Sequence, residues 1–173
     1  PRRRSRDGRP LGASFAACVR FVSGRHSWFL ICQRAPTMLD CLPVNNPPNN
    51  TKIVLFSGGA SGIGRAVAER FLSQGDAVHI CDSAAEKIEE FTVANPDATA
   101  TLADVGDRDD VTRVFADLMK HHGGLSVLIN NAGVAGPSAP VEDIDEDGWD
   151  RCIRINLSGT FYMARRAVPV LQQ

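Results

Sequence analysis

The chain has no uninterrupted apolar run of about eighteen residues, so no helical membrane span is expected. Its five cysteines, Cys18, Cys32, Cys41, Cys81 and Cys152, include no C-x-x-C pair. That argues against a zinc or disulfide framework and suits a reducing compartment. Histidine is scarce as well. His121-His122 precede Gly123-Gly124, which places them at a helix end, where a cation suits the dipole, rather than at a metal. Lysine occurs only at positions 52, 87 and 120, and tyrosine only at position 162. What the chain does have is 43% apolar residues in 173 positions, enough for the core of one domain.

The net charge of −1 hides a division. Residues 1–51 carry +6, all of the positive charge from arginine, whereas residues 52–173 carry −7. An acidic globular part disfavours nucleic-acid binding. Three readings of the basic stretch stay open: an organelle transit peptide, a disordered basic arm, or a spurious extension ahead of Met38 in a chain that begins at Pro1. The Asn/Pro-rich leader 39–51 cannot form a helix or a central strand. No part of the fold is expected from residues 1–51. The expected location is cytoplasmic, or mitochondrial if residues 1–37 are a genuine transit peptide.

From residue 52 onward, strand-like and helix-like segments alternate. The apolar, β-branched run 52–57 leads into a helix over 62–74, and strand 77–82 into a helix over 84–94. A third strand, 98–103, ends at Asp104. A helix over 108–121 follows, with Val111, Val114, Phe115, Leu118 and Met119 on one apolar face. The fourth strand, 126–130, runs into Asn131-Ala132-Gly133. After a Pro/Gly loop and an acidic run, a last helix begins near Asp147, with Ile153, Leu157, Phe161, Ala164 and Val168 on its apolar side. Repeated strand–helix units predict an α/β, Rossmann-type doubly wound parallel sheet, here reaching only the fourth strand and its following helix. Ligands of such sheets bind at the carboxyl ends of the strands.

The most informative stretch is Ser57-Gly58-Gly59-Ala60-Ser61-Gly62-Ile63-Gly64, between the first of these strands and its helix. Glycines let backbone approach a diphosphate, and the free N–H groups of a helix start point at the anion. Asp82 closes the second strand, where a carboxylate accepts hydrogen bonds from an adenosine ribose and repels a 2′-phosphate. Ser83 and Ala84 follow it, with no base, so NAD is favoured over NADP. Asp82 could equally cap the following helix, and both roles can hold together. A phosphate-loop NTPase would need a lysine after the glycines, but Arg65 follows Gly64.

Residues 52–173 resemble the amino-terminal two-thirds of a short-chain dehydrogenase/reductase domain. The match rests on Ser57–Gly64, Asp82, Asp104-Val105, Asn130-Asn131-Ala132-Gly133, Trp149-Asp150 and Ile155–Phe161, in the family's order and spacing. Ser57 stands where the family usually has threonine. Within the family the chain looks most like the broad group of 3-oxoacyl-carrier-protein reductases and related sugar or alcohol dehydrogenases. The resemblance implies hydride transfer between a nicotinamide and an alcohol or ketone carbon. It implies that Asp104 bonds the adenine amino group beside the Val105 N–H, and that Asn131, Ala132 and Gly133 line the middle of the cofactor. It implies that Asn156 holds a water in a proton relay; a structural amide tying the helix to the fourth strand is the alternative. Full-length members usually pair, as dimers or tetramers, through the helix that begins near Asp147 and the next one.

The family's proton donor is a tyrosine followed four residues later by a lysine, with a serine upstream. Tyr162 is followed at that spacing by Arg166, lies on the helix of Asn156 rather than beyond a further strand, and is rejected for the role. The serine, tyrosine and lysine are expected beyond Gln173, and the fourth strand is expected to be an open edge. This chain alone is expected to bind NAD weakly and to catalyse nothing. The alternative function is a non-catalytic dinucleotide-binding protein.

Overall fold

The structure, a computed structural model, describes residues 18–24, 27–33 and 51–172. Four parallel strands form its centre: β3 (Ile53–Ser57), β4 (Ala77–Asp82), β5 (Thr99–Leu102) and β6 (Val127–Asn130). They lie in the order β6-β3-β4-β5. The chain therefore steps outward from β3 through α1 (Gly62–Leu72) and α2 (Ala85–Ala94). It then returns through α3 (Arg108–His122) to the other side of β3. The strand order reverses between β3 and β6, and the glycine-rich loop leaves β3 at that switch point, where an open α/β sheet forms its crevice.

Period-two alternation assigns the strand residues to two cores. Val54, Phe56, Val78, Ile80, Val127 and Ile129 pack with Ala68 and Phe91 of α1 and α2. Leu55, Cys81 and Leu128 face Val111, Val114, Phe115 and Leu118 of α3 on the opposite side. Burial on both faces accounts for the continuous apolar runs in the central strands. Met119, expected on the buried face of α3, is 39% exposed, because the face that meets the sheet is narrower than the apolar stripe.

The last helix also departs from expectation. It runs as α4 (Glu146–Ile153), a π-helical segment (Arg154–Gly159) and α5 (Thr160–Leu171). Its buried residues are Ile155, Gly159, Met163, Ala167 and Leu171. Ile153, Leu157 and Phe161, expected to line the core, are exposed. The core face is the one carrying glycine and alanine, where the helix comes close to its neighbours.

The region before residue 52 contributes two strands where none was expected. β1 (Cys18–Gly24) and β2 (Ser27–Gln33) form an antiparallel hairpin. β2 then pairs antiparallel with β6, Leu30 opposite Asn130 and Gln33 opposite Val127. The edge of β6 is thus paired rather than open, since an unpaired edge is a template for any β-prone segment within reach. The Asn/Pro-rich leader, 39–50, and the first seventeen residues lie outside the described residues.

Candidate functional site

The carboxyl ends of β3, β4, β5 and β6 surround a cavity of about 470 Å³. The loop after β3 is fastened to both neighbouring strands. The Gly58 and Gly59 N–H groups donate to the Cys81 carbonyl at 2.7 and 3.3 Å. On the other side the Ser57 hydroxyl accepts from the Asn131 and Ala132 N–H groups, both at 3.1 Å. The Asn131 amide donates to the Gly58 carbonyl at 2.7 Å and to the Ser57 carbonyl at 3.2 Å. Serine at position 57 therefore makes the bonds that hold the β6 end to the loop.

Two glycines are required by this packing. Gly58 has φ +64°, a left-handed conformation that favours glycine. Gly64 admits no side chain, since a Cβ there would collide with the Gly58 carbonyl oxygen and meet Asn131 Nδ2 at 2.5 Å. The result is an α1 start lying bare beside the cavity: Ser61, Gly62 and Ile63 are exposed. Ser61 makes no side-chain cap bond, and the first turn of α1 holds no acid. In contrast, α3 and α4 are capped by Asp107 and Asp145 and carry acids in their first turns. A helix start with unsatisfied N–H groups and no capping carboxylate fits an anion.

Asp82 lies against the same helix start. Its Oδ2 accepts from the Ala60 N–H at 3.2 Å and its Oδ1 from the Ala84 N–H at 3.1 Å. The second bond sets the turn into α2 two residues on, so Asp82 serves a local backbone role without being the residue at the cap. Each carboxylate oxygen keeps a further acceptor position. The neighbouring Cys81 thiol is completely buried, and burial, with the Asp82 charge next, pushes its pKa up to about 12; it is inert.

Asp104 follows β5. Its backbone N–H donates to Asp110 Oδ2 at 2.8 Å, and its Oδ1 accepts from the Gly106 N–H at 2.8 Å. Across the cavity, the Asn156 amide clasps one residue of the loop after β6: Oδ1 accepts from the Val134 N–H at 2.8 Å, and Nδ2 donates to the Val134 carbonyl at 2.9 Å. Asn156 is exposed, yet both its amide atoms are bonded, Nδ2 also reaching Cys152 Sγ at 3.3 Å. It ties the helix to the segment that follows β6, the structural role weighed for it.

Of the sequence-derived candidates, Gly58, Ser61, Ile63, Gly64, Asp82, Asp104, Val105, Asn131, Ala132 and Gly133 line the cavity. Ser57, Ala60, Gly62 and Asn156 are not among its lining residues; Ser57, Ala60 and Asn156 act through bonds to residues beside them. Cys81, Ser83, Ala103, Val134, Arg151 and Ile155, none of them marked as a site residue by the sequence, complete the wall. Val134 directly follows the Asn-Ala-Gly motif, and that adjacency was the available signal. Tyr162 and Arg166 line a different cavity of about 440 Å³ with Arg108, Val111, Phe161 and Arg165. Among the described residues no helix is long and apolar enough to cross a membrane.

The model of the short chain dehydrogenase family matches residues 52–173. A short chain dehydrogenase/reductase of Colletotrichum higginsianum is 40% identical over 121 residues, covering 68% of this chain and 45% of that protein. A 3beta-hydroxysteroid dehydrogenase of Mediterraneibacter gnavus is 35% identical over 125 residues, covering 70% and 45%. The crystal structure of a 3-ketoacyl-(acyl-carrier-protein) reductase from Brucella melitensis, complexed with NADH, superposes with a TM-score of 0.66 at 28% identity, over 69% of this chain and 50% of that one. The chain spans about half the length of the curated relatives it matches. With the glycine loop and the three strand-end motifs gathered round one cavity, the chain belongs to the short-chain dehydrogenase family of oxidoreductases.

Proposed function

We propose that residues 52–172 are the cofactor-binding part of an NAD-dependent oxidoreductase acting on a small-molecule alcohol or ketone. When bound, the nicotinamide supplies the hydride donor or acceptor. The α1 start receives the diphosphate through the backbone near Ala60 to Ile63, and Asp104 with Val105 receives the adenine. Asn131, Ala132 and Gly133 flank the middle of the dinucleotide. The observation that carries the reading is Asp82: a carboxylate held by Ala60 N–H at the foot of the bare helix start, with acceptor positions free for a ribose diol. A 2′-phosphate would meet that charge at close range, and the residues that follow, Ser83 and Ala84, carry none to balance it. This supports NAD over NADP.

Asn156 is assigned the family's relay position. Its amide is engaged by Val134 on both sides and by Cys152 Sγ at 3.3 Å, which leaves the main-chain carbonyl, acceptor of the Thr160 hydroxyl at 2.8 Å, as the group that would hold the water. No tyrosine in these 173 residues is followed by lysine four positions on. The chain by itself should bind dinucleotide without turning over alcohol. Exposed Trp149, Ile153, Leu157 and Phe161 recur every fourth residue, an outward apolar stripe that supports pairing with a second copy.

Calorimetric titration of the full chain with NAD and NADP tests the cofactor assignment. NAD should bind more tightly, and Asp82→Ala should narrow the gap about tenfold, the scale of one charge-assisted bond. Equal affinities in the unaltered protein would refute the ribose role of Asp82.

A further inference from the structure

The π-helical segment beginning at Arg154 straddles the cavity. Asn156 grips the loop after β6, Ile155 lies between at 9% exposure and lines the cavity, and Arg154 reaches the opposite wall. There its Nη1 donates to Asp104 Oδ2 at 2.8 Å, an ion pair between residues fifty positions apart. π-Turns inside α-helices recur at functional sites. With the Gly106 N–H on Oδ1 and Arg154 on Oδ2, each oxygen of the Asp104 carboxylate is fixed by one donor and retains one acceptor position.

A second feature places the arginine. Gly106 lies directly under it: a Cβ at that position would come within 2.7 Å of Arg154 Nη1, 3.0 Å of Cγ and 3.2 Å of Cζ. The side chain is seated against the Gly106 α-carbon, and a larger residue there would push it aside. Loop and arginine are therefore built as one unit, Asp104-Val105-Gly106 beneath and Arg154 above.

We propose that Arg154 is the positioning residue that makes this end of the cavity select a 6-aminopurine. It clamps the Asp104 carboxylate so that the free acceptor positions face the base. A group that only accepts needs a donor opposite it. The amino group of adenine is one, whereas the 6-oxo group of hypoxanthine is an acceptor and leaves two oxygens opposed. Without Arg154 the carboxylate is free to turn to solvent and the distinction fades. The inference rests on the dinucleotide reading of the cavity, and it concerns only which base that cavity prefers.

The test titrates the full chain with NAD and with nicotinamide hypoxanthine dinucleotide. The unaltered protein should prefer the adenine form, and Arg154→Ala should reduce that ratio roughly tenfold. Arg154→Lys, which can still donate to Oδ2, should recover part of it. Gly106→Ala should lower the ratio as well by displacing the arginine without removing its charge, which keeps the test intact if Arg154→Ala fails to fold. An unchanged ratio in Arg154→Ala and Gly106→Ala, with both dinucleotides weakened alike, overturns the proposal and reduces the ion pair to a brace. Equal binding of the two dinucleotides by the unaltered protein overturns it too, while leaving the cofactor reading standing. Binding of neither overturns both.

Discussion

Acid should loosen this fold through a single buried histidine. His79 on β4 is completely buried, and both ring nitrogens are bonded: Nδ1 to Thr99 Oγ1 at 2.7 Å and Nε2 to Thr101 Oγ1 at 3.0 Å. The Thr101 hydroxyl donates to Asp117 Oδ2 at 2.7 Å, so its one proton is committed and Nε2 must donate to it. Nδ1 is then the acceptor in neutral His79 and takes the Thr99 proton, which leaves His122 Nε2 to donate to Thr99 Oγ1 at 2.6 Å. With His79 neutral every proton of this chain of bonds is used, and protonating Nδ1 would turn it into a donor and reverse the Thr99 hydroxyl onto His122 Nε2. Burial, and after it the neighbouring His122, lowers the His79 pKa to about 4, against the opposing pull of Asp117. The unfolded chain takes up this proton near pH 6.5 and the folded chain only near 4. Stability from this group is therefore full above pH 6.5 and is lost as pH falls towards 4. Between pH 8 and pH 5 the loss is about 2 kcal/mol, a large share of the ~5–15 kcal/mol that holds a domain together. Urea midpoints of the unaltered protein and of His79→Gln, taken at both pH values, isolate the effect, because every other ionisable group is common to the two proteins. His79→Gln should be the less stable at pH 8 and should lose about 2 kcal/mol less on acidification. Parallel losses in the two proteins would show that His79 is not the acid-sensitive group.

Ser57→Ala removes the acceptor of two N–H groups at once and should cost about 2 kcal/mol in urea unfolding, whereas Ser57→Thr keeps the hydroxyl and should cost under about 1 kcal/mol; equal effects would show that those bonds do not hold the β6 end. Leu157, 64% exposed at the centre of the outward stripe, should be replaceable by glutamate without loss of fold. Light scattering should then report a drop from dimer or tetramer to monomer, and a monomeric unaltered protein would refute pairing through that stripe.

The site was legible where chemistry acts through backbone next to it in sequence. Gly58, Gly64 and Asp82 announce themselves because a left-handed turn, a carbonyl in contact with an α-carbon and a carboxylate at a strand end each demand one residue type at one position. The hairpin on β6 was not legible for the converse reason: its pairing depends on which edge the rest of the sheet leaves free, and the +6 charge of its region pointed away from a folded element.

The last helix shows a subtler limit. Periodicity reports which residues share a face, not what that face meets. Ile153, Leu157 and Phe161 form one apolar row, and Ile155, Gly159, Met163, Ala167 and Leu171 another. Bulk favoured the first row, but close approach selected the second, since a Cβ at Gly159 would stand 2.8 Å from Val105 Cγ2. A helix that buries one apolar row and offers a second outward leaves only the seam between them for polar work. Asn156 lies on that seam, between buried Ile155 and exposed Leu157, with Arg154 on the other side of Ile155. Their bonds to Val134 and Asp104 follow from that placement: the two polar residues flank the single apolar one that faces the cavity, and each can reach only the wall on its own side.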